Sequence, residues 1–211
     1  LLPGDRISVD FKNTRAPLLA ETDTVGVAID PGANQVYIPL SEFPPVTVLP
    51  GPVQKFLVIV PSQTGAGKPF PVRIVALDEW NNCATACSET IDVQLPEYTQ
   101  PRTVTLNEKD AGIVRMEATV REPGVFFVTV RAPGLPDAPA FRSNPIRITA
   151  QPAEFNLYWG DLHSHSGTSK DGLGRPETAF HNARDVFGLD YYALTDHSVG
   201  DLKALGEWWE G

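Results

Sequence analysis

From the start of the chain to about residue 150, apolar side chains recur at every second position over several short spans, and turn residues close most spans. A period of two sends alternate side chains to opposite faces of an extended chain, so that one face can be buried and the other wetted. The spacing predicts strands over 7–11 (ISVDF), 24–29 (TVGVAI), 35–40 (QVYIPL), 55–60 (KFLVIV), 71–77 (PVRIVAL), 89–95 (ETIDVQL), 112–120 (GIVRMEATV), 124–132 (GVFFVTVRA) and 145–150 (PIRITA). Many short strands separated by turn residues make a β-sandwich.

The pattern changes after residue 152. NLYWGDLH (156–163) reads as a buried strand, and RPETAFHNARDVFG (175–188) has helical spacing, with Ala179, Phe180, Ala183 and Phe187 on one face. Pro176 suits the first turn, Glu177 complements the helix dipole, and Gly188 suits the end. DYYALTDH (190–197) is a second apolar strand. Strand, helix and strand form a βαβ unit, which requires parallel strands and opens an α/β sheet or barrel. Three regions follow: β strands over 1–45, either an extension or a remnant of a β domain; a sandwich over 46–152; and the start of an α/β domain over 153–211. Trp208 and Trp209 suit the apolar face of a further helix, and Trp80 and Trp159 suit the core.

Composition narrows the function. With 42% hydrophobic and 20% charged residues in 211, the chain can bury a core, and twenty prolines and seventeen glycines suit turns better than long helices. A formal net charge of −9 without a basic stripe argues against a nucleic-acid partner. No apolar run is long enough to span a bilayer, and LLPGDRISVDF lacks the pattern of a signal peptide. The first residue is Leu1, not Met, as in a mature or internal piece. Cys83 and Cys87 do not make a CxxC pair; they read either as two free thiols or as a small disulfide-closed loop. The compartment stays open, with a periplasmic or secreted setting favoured over the cytoplasm. SQTGAGKPF (62–70) has Ser62 and Pro69 where a phosphate-binding loop needs Gly and Ser or Thr, so it reads as a hairpin turn.

The chemistry gathers where the two parallel strands end. Catalytic groups of parallel α/β folds collect at the carboxyl ends of the strands, and three of the four histidines, His163, His165 and His197, fall there. His163 and His165 are two apart, so both point one way and can hold one cation. Asp171, on an Asp-Gly turn, can join a mixed site for Zn, Mn or Fe. Asp161 and Asp196 are placed to accept the other N–H of a ligand imidazole and fix its tautomer. Each signal alone is weak: HxH can be incidental, and Asp-Gly can be only a turn. His181, on the helix, is solvated or paired locally.

The stretch GDLHSHSGTSKDGLGRPETAFHNARDVFGLDYYALTDHS (160–198) resembles the opening of the polymerase and histidinol phosphatase (PHP) family, in particular large bacterial members in which this motif follows an immunoglobulin-like region. FPVRIVALDEWNN, DAGIVRMEATVREPGVFFVTVRA and SNPIRI resemble such a bacterial immunoglobulin-like domain. The first PHP motif falls on His163 and His165, its metal-binding acid on Asp171, and its TDH motif on Thr195, Asp196 and His197, with His197 the ligand. The resemblance implies a mainly β immunoglobulin-like sandwich followed by the first βαβ unit of a distorted (β/α)7 barrel. It implies two or three divalent ions, Zn, Mn or Fe, and hydrolysis of a small-molecule phosphate ester by metal-activated water, with no catalytic side chain beyond the metal ligands. The family's later ligands lie past Gly211, so this chain holds the amino-terminal part of such a centre. It is expected to be inactive unless a further segment or companion chain completes the barrel.

Two alternatives stand beside the phosphoesterase. An amidohydrolase-type metal hydrolase also begins with HxH at a strand end. A non-catalytic sandwich that binds or scaffolds a partner is the third reading, although no run of exposed aromatics suited to sugar stacking is evident in the sandwich.

Overall fold

The computed structural model describes residues 8, 10, 12–135, 137–151, 153–169 and 171–197. Part of the predicted strand 7–11, and the helix expected around Trp208 and Trp209, lie outside them. The chain divides into two compact units, Leu1–Leu49 and Pro50–Gly211.

In the first unit, β1 (Thr22–Thr24) and β2 (Ala28–Ile29) pair antiparallel with, respectively, a segment near the end of the unit and β3 (Ile38–Pro39); the former partner is β4 (Pro45–Thr47). None of its described residues is buried. The strands predicted over 24–29 and 35–40 therefore shrink to short ladders. A ribbon of two strands offers no second layer against which alternate apolar residues can pack.

The second unit contains β5 (Lys55–Ile59), β6 (Gln63–Gly65), β7 (Pro69–Leu77), β8 (Thr90–Gln94), β9 (Arg102–Thr105), β10 (Ile113–Thr119), β11 (Gly124–Phe126), β12 (Thr129–Arg131), β13 (Phe141–Arg142) and β14 (Ile146–Thr149). β7 is central to one sheet, between β10 and β5; a second sheet runs β13-β12-β8-β9, and a third β11-β14-β6. Alternate residues of β7, Phe70, Val72, Ile74 and Ala76, face the core with Phe56 and Val58, and meet Ile91, Val93, Val130, Ile146 and Ile148 from the other sheets. This is the β-sandwich that the alternation predicted.

Two local expectations change. The strand predicted over 124–132 divides into β11 and β12, which join different sheets. At the break Ser143 holds Val128 twice: its N–H donates to the Val128 carbonyl at 2.9 Å, and its Oγ accepts the Val128 N–H at 2.9 Å. Residues 65–68 do turn, with the Lys68 N–H on the Gly65 carbonyl at 3.1 Å and Gly67 at φ 75°. They make no hairpin, because β6 pairs in parallel with β14 while β7 belongs to another sheet.

After β14 come β15 (Gly160–Ser164), α1 (Pro176–His181) continuing into a π-helical turn over Asn182–Val186, and β16 (Tyr191–Leu194). β15 and β16 are parallel, so the predicted βαβ unit is present. The π turn rotates the buried stripe. Ala183 and Val186 are buried, whereas Phe180 and Phe187, predicted on the inner face, are about half exposed. Val186 packs on Val75, Leu77 and Ile113, on the face of the β5-β7-β10 sheet opposite the main core. Arg73 of β7 donates to the carbonyls of Arg184 and Asp185, and Arg115 of β10 pairs with the Asp185 carboxylate at 3.3 Å. His181 also pairs with Asp185, at 3.2 Å, which bears out local pairing.

The stretch 156–163 is not the buried strand that its apolar residues suggested: β15 begins only at Gly160, and Leu157, Tyr158, Trp159 and Leu162 are each more than 60% exposed, with Trp80 half exposed as well. A parallel sheet is normally covered on both faces, and two strands with one helix cover only one. Trp159 nevertheless donates its indole N–H to Ser62 Oγ at 2.6 Å, and Gln63 donates to the Phe155 carbonyl. Cys83 and Cys87 are free thiols, which removes the disulfide reading. Burial, with Cys87 nearby, pushes the Cys83 thiol up to about 11 and keeps it protonated at neutral pH.

Candidate metal centre

The parallel pairing of β15 with β16 sets Gly160 beside Tyr191 and Ser164 beside Leu194, so both strands end at one rim. The register slips between Asp161 and Ser164, where β15 carries one residue more than its partner. Such a bulge leaves a backbone N–H without a ladder partner. Here Asp161 Oδ1 accepts the His163 N–H at 2.9 Å.

Beyond β15 the chain closes a tight loop. The Gly167 N–H donates to the Gly174 carbonyl at 2.6 Å, and the Ser169 N–H to the Ser166 carbonyl at 3.0 Å. A Cβ on Gly172 would lie 1.9 Å from the Ser166 carbonyl oxygen, so only glycine fits there. The loop returns Asp171 to the strand end. Its Oδ1 is 2.8 Å from His165 Nδ1, and its Oδ2 is 3.3 Å from His197 Nε2.

One potential donor atom from each of His165, Asp171 and His197 lies within 4.8 Å of the other two, a His/Asp group that can hold a metal ion. The His165 side chain is 13% exposed, and the other two about half to two-thirds, so the group is open to solvent on one side. His165 Nε2 is buried with no hydrogen-bond partner among the described residues. A buried polar atom left unpaired costs about 1–3 kcal/mol, and a cation is one partner that removes this cost. Two imidazoles and a carboxylate also form a donor set suited to Zn, Mn or Fe. The residues present therefore fit a divalent ion.

His163 stands next to this group. Its ring lies 4.9 Å from that of His165, which lies 4.7 Å from that of His197. His163 Nδ1 is 3.1 Å from Thr195 Oγ1. All four sequence-derived candidates thus meet at the rim, three within one donor cluster and His163 alongside it.

Asp161 and Asp196 act differently from expectation, since neither accepts an imidazole N–H among the described residues. Asp161 satisfies the bulge. Asp196 takes the Ser166 N–H at 2.6 Å and the Ser166 hydroxyl at 2.7 Å, and Ser169 Oγ accepts the His197 N–H at 2.6 Å. These contacts tie the end of β16 to the loop that carries Asp171. Ser166, Ser169 and Thr195 complete the arrangement, and only their presence in a polar loop or beside the TDH aspartate could have pointed to them.

The charges follow from these contacts. The hydrogen bond from His165 holds the Asp171 carboxyl below the usual aspartate range, against the opposing effect of burial and with help from a backbone hydrogen bond and the neighbouring imidazoles. For Asp196 burial pushes upward, but the Ser166 hydroxyl and N–H and the Ser169 hydroxyl outweigh it and leave the carboxyl acidic.

No family model matches the chain, and a search of curated proteins finds no match. Among solved structures, the chain is similar to a superoxide reductase (neelaredoxin) from Ignicoccus hospitalis, at 15% identity and a TM-score of 0.32 over 46% of this chain and 82% of that one. It is similar to the sulfur carrier protein SoxY from Chlorobium limicola f thiosulfatophilum, at 14% identity and 0.31 over 48% and 86%. It is also similar to the CARDB domain of a Pyrococcus furiosus protein in complex with di-metal ions, at 13% identity and 0.31 over 49% and 95%. Likeness at these scores carries no inference about activity. Among the described residues no helix is long and apolar enough to cross a membrane.

Proposed function

We propose that this chain supplies metal ligands to a metal-dependent hydrolase of the PHP kind, a phosphoesterase, with an immunoglobulin-like sandwich in front of the first βαβ unit of its barrel. The observation that carries the reading is the convergence of His165, Asp171 and His197 within 4.8 Å at the carboxyl ends of two parallel strands. The strand ends of parallel α/β folds are where catalytic groups collect.

His165, His197 and Asp171 would hold a divalent ion, and His163, whose ring lies beside that of His165, would add a further imidazole ligand. When bound, a divalent ion lowers the pKa of a coordinated water and clamps phosphoryl oxygens as charge shifts to the leaving group. The chain's own residues hold the ligands in place. Asp196 and Ser169 lock the loop against β16, Gly172 allows the turn that returns Asp171, and the bulge at Asp161 sets His163. The exposed sides of Asp171 and His197 leave the site open to a small phosphate ester.

The test is zinc and manganese content of the purified chain, with a zinc titration of the wild type and of His165→Ala. We expect zinc to bind the wild type and the variant to lose at least about 100-fold in affinity. Absence of binding, or binding untouched by the substitution, overturns the reading. Hydrolysis of amides or lactones but not of p-nitrophenyl phosphate esters by the intact, metal-loaded protein with its barrel completed would replace the phosphoesterase with an amidohydrolase.

A further inference from the structure

His163 belongs to the candidate motif but not to the three-residue donor cluster, and one of its ring nitrogens is engaged by a residue that the metal reading does not use. Thr195 Oγ1 lies 3.1 Å from His163 Nδ1 and 3.2 Å from the Ser164 carbonyl oxygen. A threonine hydroxyl has one proton to donate and lone pairs to accept with, and a carbonyl can only accept. If the hydroxyl donated to His163 Nδ1, its approach to the Ser164 carbonyl would set two acceptor oxygens against each other. Only one assignment makes both contacts hydrogen bonds. The Thr195 hydroxyl donates to the Ser164 carbonyl, and the His163 Nδ1–H donates to Thr195 Oγ1.

The backbone holds this arrangement in register. The Thr195 N–H also donates to the Ser164 carbonyl, at 2.8 Å, which fixes Thr195 across from the residue that follows His163. The Tyr192 hydroxyl bonds Ser164 Oγ at 2.7 Å and anchors Ser164 from the next strand. Thr195, the residue after β16, is therefore tied to the end of β15 by its backbone as well as by its hydroxyl. With the proton on Nδ1, the lone pair of His163 is on Nε2.

We propose that Thr195 is a positioning residue that holds His163 in the Nδ1–H tautomer, so that His163 offers Nε2 to a divalent cation. The proposal rests on the metal-dependent reading above. It moves the tautomer-setting role, expected of Asp161 and Asp196, to a neutral hydroxyl. The other nitrogen of a metal-bound imidazole ordinarily donates to such a partner, and loss of that partner weakens metal binding about 10–100-fold.

Two measurements on the full chain test it. Long-range proton–nitrogen NMR of the metal-free protein reports which nitrogen of His163 is protonated, and a zinc titration against a chromophoric chelator reports affinity. The wild type is expected to show His163 protonated at Nδ1. Thr195→Val, nearly equal in shape but without the hydroxyl, is expected to shift the proton toward Nε2 and to weaken zinc binding about 10–100-fold, while Thr195→Ser keeps both properties. A wild-type His163 protonated at Nε2 overturns the proposal. So does a Thr195→Val protein with unchanged zinc affinity, or a Thr195→Ser protein as impaired as Thr195→Val, which would mark a packing role. Failure of the wild type to bind zinc sinks the hydrolase reading, and is distinct from the tautomer result, which concerns Thr195 itself.

Discussion

Asp78 is buried at the end of β7, and its carboxylate accepts four hydrogen bonds: from the N–H groups of Gly51 at 2.9 Å, Trp80 at 2.8 Å and Asn82 at 2.9 Å, and from the Asn82 amide at 2.9 Å. Burial pushes its pKa upward, but these donors outweigh it and the folded value is lowered. A folded pKa below the unfolded one contributes stability that is full above the ordinary aspartate value, about 3.9, and is lost as pH falls through the folded value. Asp78→Asn should therefore cost about 1.5–3 kcal/mol at pH 7, and the gap to wild type should narrow as pH falls below the ordinary aspartate range, as read by urea unfolding at neutral and acid pH. An aspartate in a DEWNN turn is visible in the sequence, but its burial is not. Among site residues, His163, His165, Asp171 and His197 were legible because imidazoles and an Asp-Gly turn at strand ends are rare together. Ser166 and Ser169 were not, since hydroxyls in a polar stretch carry no signal until their partners are known, and Thr195 was visible as part of the TDH motif but not as a partner of His163.

The loop over 166–174 and the helix that follows it carry the next two outcomes. Gly172→Ala places a methyl 1.9 Å from the Ser166 carbonyl, so the loop must open and draw Asp171 away from His165. Zinc affinity should drop at least about 10-fold while the unfolding of the sandwich is unchanged, which a titration and a denaturation curve report together. Val186→Ala removes two methyls from the contact with Val75, Leu77 and Ile113 and should destabilise docking of the helix by about 1–2.5 kcal/mol. Hydrogen exchange in 176–186, faster than in wild type while β8 and β12 stay protected, is the check. The existence of the helix was readable from Pro176, Glu177 and Gly188. Its buried stripe was not, because a π turn inserts a residue that an unbroken 3.6-residue period does not anticipate.

Residues 50–151 hold the main core of the second unit, with Phe70, Ile74, Ile91, Val93, Val130 and Ile146 all at 2% exposure or less. That segment alone should fold, with a single cooperative thermal transition and a β-type circular dichroism spectrum; a non-cooperative melt would show that the docked helix is essential to the sandwich. The sequence by itself determined the sandwich, the βαβ unit and the place of the histidines, because each is a local matter of period, turn residue and strand end. The tertiary structure alone decided which faces were covered. The apolar stretch Ile74–Leu77 is buried on both sides because a helix from more than 100 residues later lies on its outer face, whereas Trp159 and Leu162, equally apolar, stay exposed for want of a covering layer. Burial depends on what arrives from elsewhere in the chain, and hydrophobic periodicity records only the preference, not the partner.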